Sequence, residues 1–261
     1  MRLAVAATAP LGAAVLEGLA KTHDIEVLVT RPDRPRGRGR QVGAPPAKEA
    51  AERLGIPVEQ PERLESFPGT APVVVVAYGA LIPSELLEDR LWLNVHPSLL
   101  PRWRGAAPVE RAIMAGDTET GVTIHRTTAE LDAGPVAAQR TFPIAPDDDA
   151  GVVYERAAAL AVELLNGVLP EPAFEPQSEE GATYAEKIGP ADRELDWSRP
   201  PAELHNRIRA LAPHIGARGE VEGRPVIVWR SRRTDDGLEI LEVQPEGKRR
   251  MTLDEFRRGL R

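Results

Sequence analysis

The sequence predicts an α/β protein: a Rossmann-like, mostly parallel sheet with helices on both faces, followed by a small C-terminal β unit. Three observations carry this. Short apolar strands alternate with helical spacing through residues 1–168, the pattern that builds a doubly wound sheet. The run Val73 to Ala77 (VVVVA) is almost entirely β-branched, as in a strand buried on both faces of a parallel sheet. After a stretch rich in Pro, Glu and Ser (169–200), strand-like runs return as GRPVIVWRS and LEILEVQP.

Each element has a local reason. RLAVAA (2–7) reads as a short buried strand. Pro10 to Lys21 places Leu11, Val15, Leu16 and Leu19 on one side of a helix. Ile25 to Thr30 is a second strand, Pro45 to Leu54 a helix, and Ile56 to Val58 a short strand. Leu91 to Val95 forms another strand, and Pro108 suits the first turn of a helix ending near Ala115. GVTIHRT (121–127) and Pro135 to Ile144 read as strands, and Ala150 to Val168 as a strongly apolar helix. A further helix is expected over Ala202 to Leu211. The expected division is a catalytic domain over 1–168, a linker over 169–200 and a C-terminal domain over 201–261.

Composition narrows the chemistry. With 261 residues, 42% of them hydrophobic, the chain can bury a full core. No segment approaches the roughly 18 consecutive apolar residues of a membrane span. The Ala-rich start runs into a charged segment, Lys21 to Glu26, without a cleavage region. A cytoplasmic protein without membrane contact is expected. The absence of cysteine removes disulfides and thiolate nucleophiles. The five histidines lack HxH or HExxH spacing, so no metal site is expected. Net charge is −7, yet Arg31 to Lys48 holds six bases and one acid, a local +5 that leaves −12 elsewhere. Such an island can meet phosphate on an acidic protein.

Asn94 and His96 fall at the carboxyl end of a predicted central strand. Residues at i and i+2 share a face, and open α/β sheets bind ligands beyond the carboxyl ends of strands. Asp132 follows in the turn ELDAGP, where Gly134 lets the backbone pass close to a ligand. The trio suits acyl transfer. Asn94 and a protonated His96 can donate to a tetrahedral oxyanion, while Asp132 keeps His96 protonated and accepts the proton of an attacking amine. Taken alone, an Asn at a strand end is more often a turn residue, and a single His a structural one.

The segment NVHPSLLPRWRGAAPVERAIMAGDTETGVTIHRTTAELDAGPV resembles the core of the folate-dependent formyltransferases. Asn94-x-His96, Ser98 to Pro108 and Leu131 to Pro135 carry the likeness. It extends to VVVVAYGALIP, to RPDRPRGRGR and to TYAEKIGPADRELDW. The resemblance implies the formyltransferase fold and 10-formyltetrahydrofolate as formyl donor. It places that folate along Tyr78, Ala80 and Leu81, along Ser98, Leu99, Leu100 and Pro101, and along Thr127, Thr128, Ala129 and Glu130.

The acceptor turns on the basic loop of Arg31, Arg34, Arg36, Arg38, Arg40 and Lys48. For an arbitrary charge run a solvated surface is the default. Here the loop lies where the tRNA-directed members of the family carry an insertion that contacts the acceptor arm. The resemblance thus implies initiator methionyl-tRNA as partner and a monomeric enzyme of translation initiation. The alternatives are the same chemistry on a small amine, such as an amino sugar or a purine precursor, or a non-catalytic tRNA- or folate-binding protein. Trp103 and Arg104 either shape the acceptor pocket or pack their loop. The C-terminal KRRMTLDEFRRGLR is either a solvated amphipathic helix or a second tRNA contact.

Two departures from the family pattern stand out. Ala7-Thr8-Ala9-Pro10 replaces a Gly-Thr-Pro turn, so a different turn is expected, since alanine does not adopt positive φ cheaply. The C-terminal segment is too short for a five-stranded barrel, so a reduced, OB-like unit is expected, with a hairpin between its last two runs.

Overall fold

A computed structural model describes residues 1–36, 41–169 and 171–260. In chain order the first elements are β1 (Arg2–Ala7), α1 (Pro10–Leu19), β2 (Asp24–Val29), β3 (Arg34–Arg36), β4 (Gln41–Gly43), α2 (Pro46–Leu54), β5 (Val58–Glu59), β6 (Val73–Val76), α3 (Ser84–Leu87), β7 (Trp92–His96) and β8 (Arg104–Gly105). There follow α4 (Pro108–Ala115), β9 (Glu119–Arg126), β10 (Val136–Pro143), α5 (Ala150–Val168), β11 (Tyr184–Ala185), α6 (Pro201–Leu211), β12 (Ala217–Val221), β13 (Arg224–Thr234), β14 (Gly237–Pro245), β15 (Met251–Thr252) and α7 (Leu253–Arg258).

The main sheet has seven strands in the order β10-β9-β7-β6-β1-β2-β5. The pairs β7–β6, β6–β1, β1–β2 and β2–β5 are parallel, and β9 runs antiparallel to β7. The fold class read from the sequence is therefore the observed one. All four valines of β6 are buried, as expected for a strand covered on both faces. Val73, Val75, Ala4, Ala6, Val27 and Val29 share one cluster with Phe67 and Trp92. The Trp92 indole packs edge-on against Phe67 at 4.9 Å and donates to the Leu86 carbonyl at 2.7 Å, so its polar atom is satisfied in the core.

Helices α1, α2, α4 and α6 each carry Pro in the first turn, where its missing N–H costs nothing and its φ is already helical. Left-handed Gly55 and Gly116 end α2 and α4. The turn after β1 proceeds without strain, because neither Ala7 nor Ala9 lies among the described positive-φ residues. Thr8 anchors it by donating to the Tyr78 carbonyl at 2.8 Å.

Two compact units divide the chain. The first holds Met1–Arg104, Gly121–Thr141 and Glu155–Thr183; the second holds Gly105–Thr120, Phe142–Tyr154 and Tyr184–Arg261. The second unit contains a four-stranded antiparallel sheet, β12-β13-β14-β15. Val226, Val228 and Val243 pack there with Leu204, Ile208 and Phe256. The expected hairpin joins β13 to β14 at Thr234↔Gly237. Helix α7 starts on a Thr252–Glu255 capping box.

Several elements escaped the sequence reading. The β3–β4 ribbon lies inside the basic stretch. The segment read as a linker contains β11 and a 3₁₀ turn, Ala191–Arg193, and β11 pairs with β8. These pieces are too short to show periodicity. No helix among the described residues is long and apolar enough to cross a membrane.

Candidate active site

Strand β7 places Asn94 and His96 on one face at the carboxyl end of the parallel strands. Its antiparallel neighbour β9 sets His125 directly across from Asn94, and Thr123 across from His96. Asp132 arrives from the turn after β9. The structure brings together the three residues singled out in the sequence and adds a fourth, His125. His96 and His125 are only 4% and 1% exposed.

The hydrogen bonds determine most proton positions. His96 Nε2 lies 2.7 Å from the Trp103 carbonyl. A carbonyl only accepts, so this nitrogen carries hydrogen. His96 Nδ1 then faces Asp132 Oδ2 at 3.6 Å, an ion-pair distance slightly longer than a hydrogen bond. His125 Nδ1 donates to the Arg126 carbonyl at 3.0 Å. In the neutral ring Nε2 is therefore an acceptor, and the Asn94 amide donates to it at 3.0 Å. The second Asn94 hydrogen goes to Asp132 Oδ1 at 3.2 Å. His125 thus fixes which way the Asn94 amide faces, an orientation that Asn94 alone leaves open.

Two residues of this cluster sit in the left-handed region, Trp103 at φ +64° and Asp132 at φ +50°. Non-glycine residues hold such conformations at a cost of about 1–3 kcal/mol each. Gly134 is required beside them, because a Cβ there would overlap the Arg126 carbonyl oxygen.

Burial, ahead of repulsion from the nearby His96, pushes the His125 pKa down from 6.5 to about 4. Between those values the unfolded chain binds a proton that the folded protein refuses. The contribution to stability is complete above pH 6.5 and is lost as pH falls toward 4. His125→Gln keeps an acceptor for Asn94 without the titration. Its urea midpoint is expected to fall less than that of the wild type between pH 7 and pH 4.5. An equal fall in both proteins would show that His125 does not carry this dependence.

The positions that the resemblance assigned to folate fall into two groups. Ser98 is fully buried, donating to the Arg102 carbonyl at 2.7 Å. Leu100 N–H donates to Thr123 Oγ1 at 3.2 Å. With Leu99 and Pro101, these residues build the 97–104 loop, their side chains and backbone largely spent on it. Others face outward. Ala80 and Leu81 line an open cavity of about 550 Å³ together with Arg31, Arg63 and Glu85. Leu81 is 86% exposed. Tyr78 is buried, which pushes its hydroxyl pKa up, with Arg31 opposing. Thr127 Oγ1 is buried without a hydrogen-bond partner among the described residues. Thr128 bonds the Glu130 carbonyl within its own loop at 3.1 Å, and Ala129 and Glu130 are exposed.

The basic stretch also divides. Lys48 grips Asp33 at 2.7 Å, and Asp33 accepts from Gln60 at 2.7 Å. Gln60 also donates to the Arg31 carbonyl at 2.8 Å. Lys48 therefore ties down the root of the loop, so its charge is already paired. Arg34 and Arg36 lie on the β3–β4 ribbon; Arg38 and Arg40 lie outside the described residues. Arg104 is fully buried in its loop and bonded to Glu179 at 3.0 Å, which settles packing over pocket-shaping for that residue. Near the C-terminus Arg249 and Arg257 pair with Glu255 and Glu222 at 3.0 and 2.8 Å. Arg250 stacks on Trp229 at 3.4 Å.

His125 was missed because a histidine inside an apolar strand usually belongs to the core. The available signal was the alternation in GVTIHRT, with Val122 and Ile124 on one face and Thr123 and His125 on the other. Among the described residues no group of three or more His, Asp or Glu is placed to hold a metal ion.

A mostly parallel α/β sheet of the Rossmann-like class holds Asn94, His96 and Asp132 together at its carboxyl edge. Residues 1–169 match the formyl transferase family and residues 187–237 match the C-terminal domain of formyl transferases. The chain belongs to the formyl transferase family. It is 41% identical over its whole length to the methionyl-tRNA formyltransferase of Paracoccus denitrificans, covering 98% of that protein. It is 39% identical to that of Cereibacter sphaeroides, over 99% of this chain and 96% of the relative. Among solved structures, the Helicobacter canadensis N-formyltransferase in complex with folinic acid and dTDP-3-aminofucose superposes with TM-score 0.71 at 18% identity, covering 93% of this chain and 98% of the other. The methionyl-tRNA formyltransferase of Clostridium thermocellum superposes with TM-score 0.67 at 14% identity, covering 94% and 98%.

Proposed function

We propose that this enzyme transfers the formyl group of 10-formyltetrahydrofolate to the amino group of initiator methionyl-tRNA. The convergence of Asn94, His96 and Asp132 carries the chemistry. The near-complete length match to relatives bearing that activity in their names supports the acceptor. The residues present suit a folate. Exposed Leu81 and Leu131 offer apolar surface, and the Thr127 hydroxyl lacks a partner among the described residues.

The amine nitrogen attacks the formyl carbon, forming the new C–N bond and moving the carbonyl π electrons to oxygen. With Nε2–H held on the Trp103 carbonyl, only His96 Nδ1 is free to face substrate. Protonated, it donates to the oxyanion. Both Asn94 hydrogens are engaged, one by His125 and one by Asp132. As the carboxylate takes the proton lost by the amine, the Asn94 hydrogen that faced Asp132 becomes available to the oxyanion without rotation of the amide. Collapse of the oxyanion restores C=O and breaks the bond to folate N10, which takes up the proton that Asp132 received and so returns the carboxylate. No covalent enzyme intermediate is required.

The second reading is a small-amine acceptor. Internal pairing of Lys48, Arg249 and Arg257 favours it, since those cations are already neutralised. The deciding experiment is formyl transfer from 10-formyltetrahydrofolate to methionyl-tRNA and, separately, to free amino sugars and amino acids. Turnover on methionyl-tRNA well above that on any small amine is expected, because binding energy from remote parts of the substrate is realised at the reacting centre. Comparable rates on a small amine would replace the tRNA reading with the second one.

A further inference from the structure

Segment 174–183 follows α5 and laces the active-site loops together. Val136 and Glu175 exchange backbone hydrogen bonds at 2.7 and 2.9 Å. The Arg126 guanidinium stacks on the Phe174 ring at 4.5 Å. Thr183 Oγ1 accepts from the Trp103 N–H at 2.9 Å, and the Thr183 carbonyl from the Arg104 N–H at 2.9 Å. One end of the segment thereby holds left-handed Trp103, whose carbonyl accepts the hydrogen bond from His96 Nε2–H.

Gln177 holds the other left-handed residue. Its amide nitrogen donates to the Asp132 carbonyl at 2.8 Å and to the Gly134 carbonyl at 2.6 Å. Its amide oxygen accepts from Arg104 Nε at 3.3 Å and from a terminal Arg104 nitrogen at 3.1 Å. The guanidinium is held in turn by Glu179 at 3.0 and 3.2 Å. Every hydrogen-bonding position of the Gln177 amide is thus used, and the donors on Arg104 leave only one orientation for it.

We infer that Gln177 is a positioning residue: it clamps the backbone of Asp132 in its left-handed conformation and so aims the carboxylate at His96 and Asn94. This rests on the reading of Asp132 as proton acceptor. The physical reason is specific. Aspartate reaches φ near +50° more readily than most non-glycine residues, yet still at a cost, and a turn free to relax would swing the carboxylate away. Displacement by about 1 Å is enough to cost on the order of 100-fold in rate. The carbonyls that Gln177 binds belong to Asp132 and to the glycine two residues on, so the clamp spans the turn that sets the carboxylate direction.

The test is Gln177→Glu, which keeps shape and the Arg104 contact but turns a carboxylate oxygen, instead of an N–H donor, toward the two carbonyls. Formyl transfer is measured for wild type, Gln177→Glu, Asp132→Asn and the double variant, with thermal unfolding as a control. Gln177→Met serves if the glutamate form does not fold. The expected result is kcat lowered about 10- to 100-fold, with KM for both substrates within about twofold. In the Asp132→Asn background the same change should cost almost nothing, because Gln177 acts through Asp132. Wild-type kcat in Gln177→Glu overturns the inference. An equal loss in both backgrounds also overturns it, marking a general structural role. Wild-type turnover in Asp132→Asn itself would remove the underlying reading of Asp132, and the inference with it.

Discussion

His96→Ala and Asn94→Ala are each expected to lower turnover in formyl transfer by about 10²–10³, the usual cost of one oxyanion donor. The buried setting of the cluster is the reason. A hydrogen bond to developing charge strengthens where water is excluded, and His96 is 4% exposed. His96→Ala also removes the imidazole that faces Asp132 at 3.6 Å. Asn94→Ala also strips the donor from His125 Nε2, so part of its effect is the loss of order in the cluster. Asp132→Asn should be slow for a different reason, because an amide neither takes up the amine proton nor stabilises an imidazolium. Folate binding should change little in all three, since on the proposed reading these side chains act on the formyl group being transferred. Single-turnover rates with direct folate titration separate these effects. Near-normal rates in both alanine variants would overturn the assignment.

Neutralising Arg36, Arg38 and Arg40 together is expected to weaken tRNA binding and flatten its salt dependence. Each lost phosphate contact lowers the log–log slope by roughly one unit. If all three are lost, affinity falls roughly 40-fold less steeply across a fourfold rise in salt. Lys48 was grouped with these arginines by sequence. Because Asp33 holds it at 2.7 Å, its replacement should act through the loop root and leave the slope nearly unchanged. Folate affinity should hold in the triple variant. Salt titration of tRNA binding from 50 to 200 mM checks this. Identical slopes for wild type and triple variant would mean a solvated loop, and the small-amine reading would then gain.

Sequence by itself determined the sheet and singled out Asn94, His96 and Asp132 as candidates. The β-branched run of β6, the Pro-started helices and the alternation of strand with helix are local properties, encoded within a few residues of where they act. Asn94 and His96 share a face because they are two residues apart on one strand, which needs no knowledge of neighbours. The tertiary structure alone decided what surrounds them. His125 is 31 residues from Asn94, and only the antiparallel register of β9 against β7 makes it the partner that orients the amide. Gln177 is 45 residues from Asp132, in a stretch whose Pro, Glu and Ser content reads as linker. Its role comes from a backbone carbonyl, and backbone groups leave no trace in composition. Arg104 carries the same lesson: a charge that reads as surface is fully buried because Gln177 and Glu179 arrive from far along the chain to satisfy it. Periodicity reports which face a residue presents. Which distant polar group meets it is set only when the chain closes on itself, and in this protein that closure supplies the groups around His96 and Asp132.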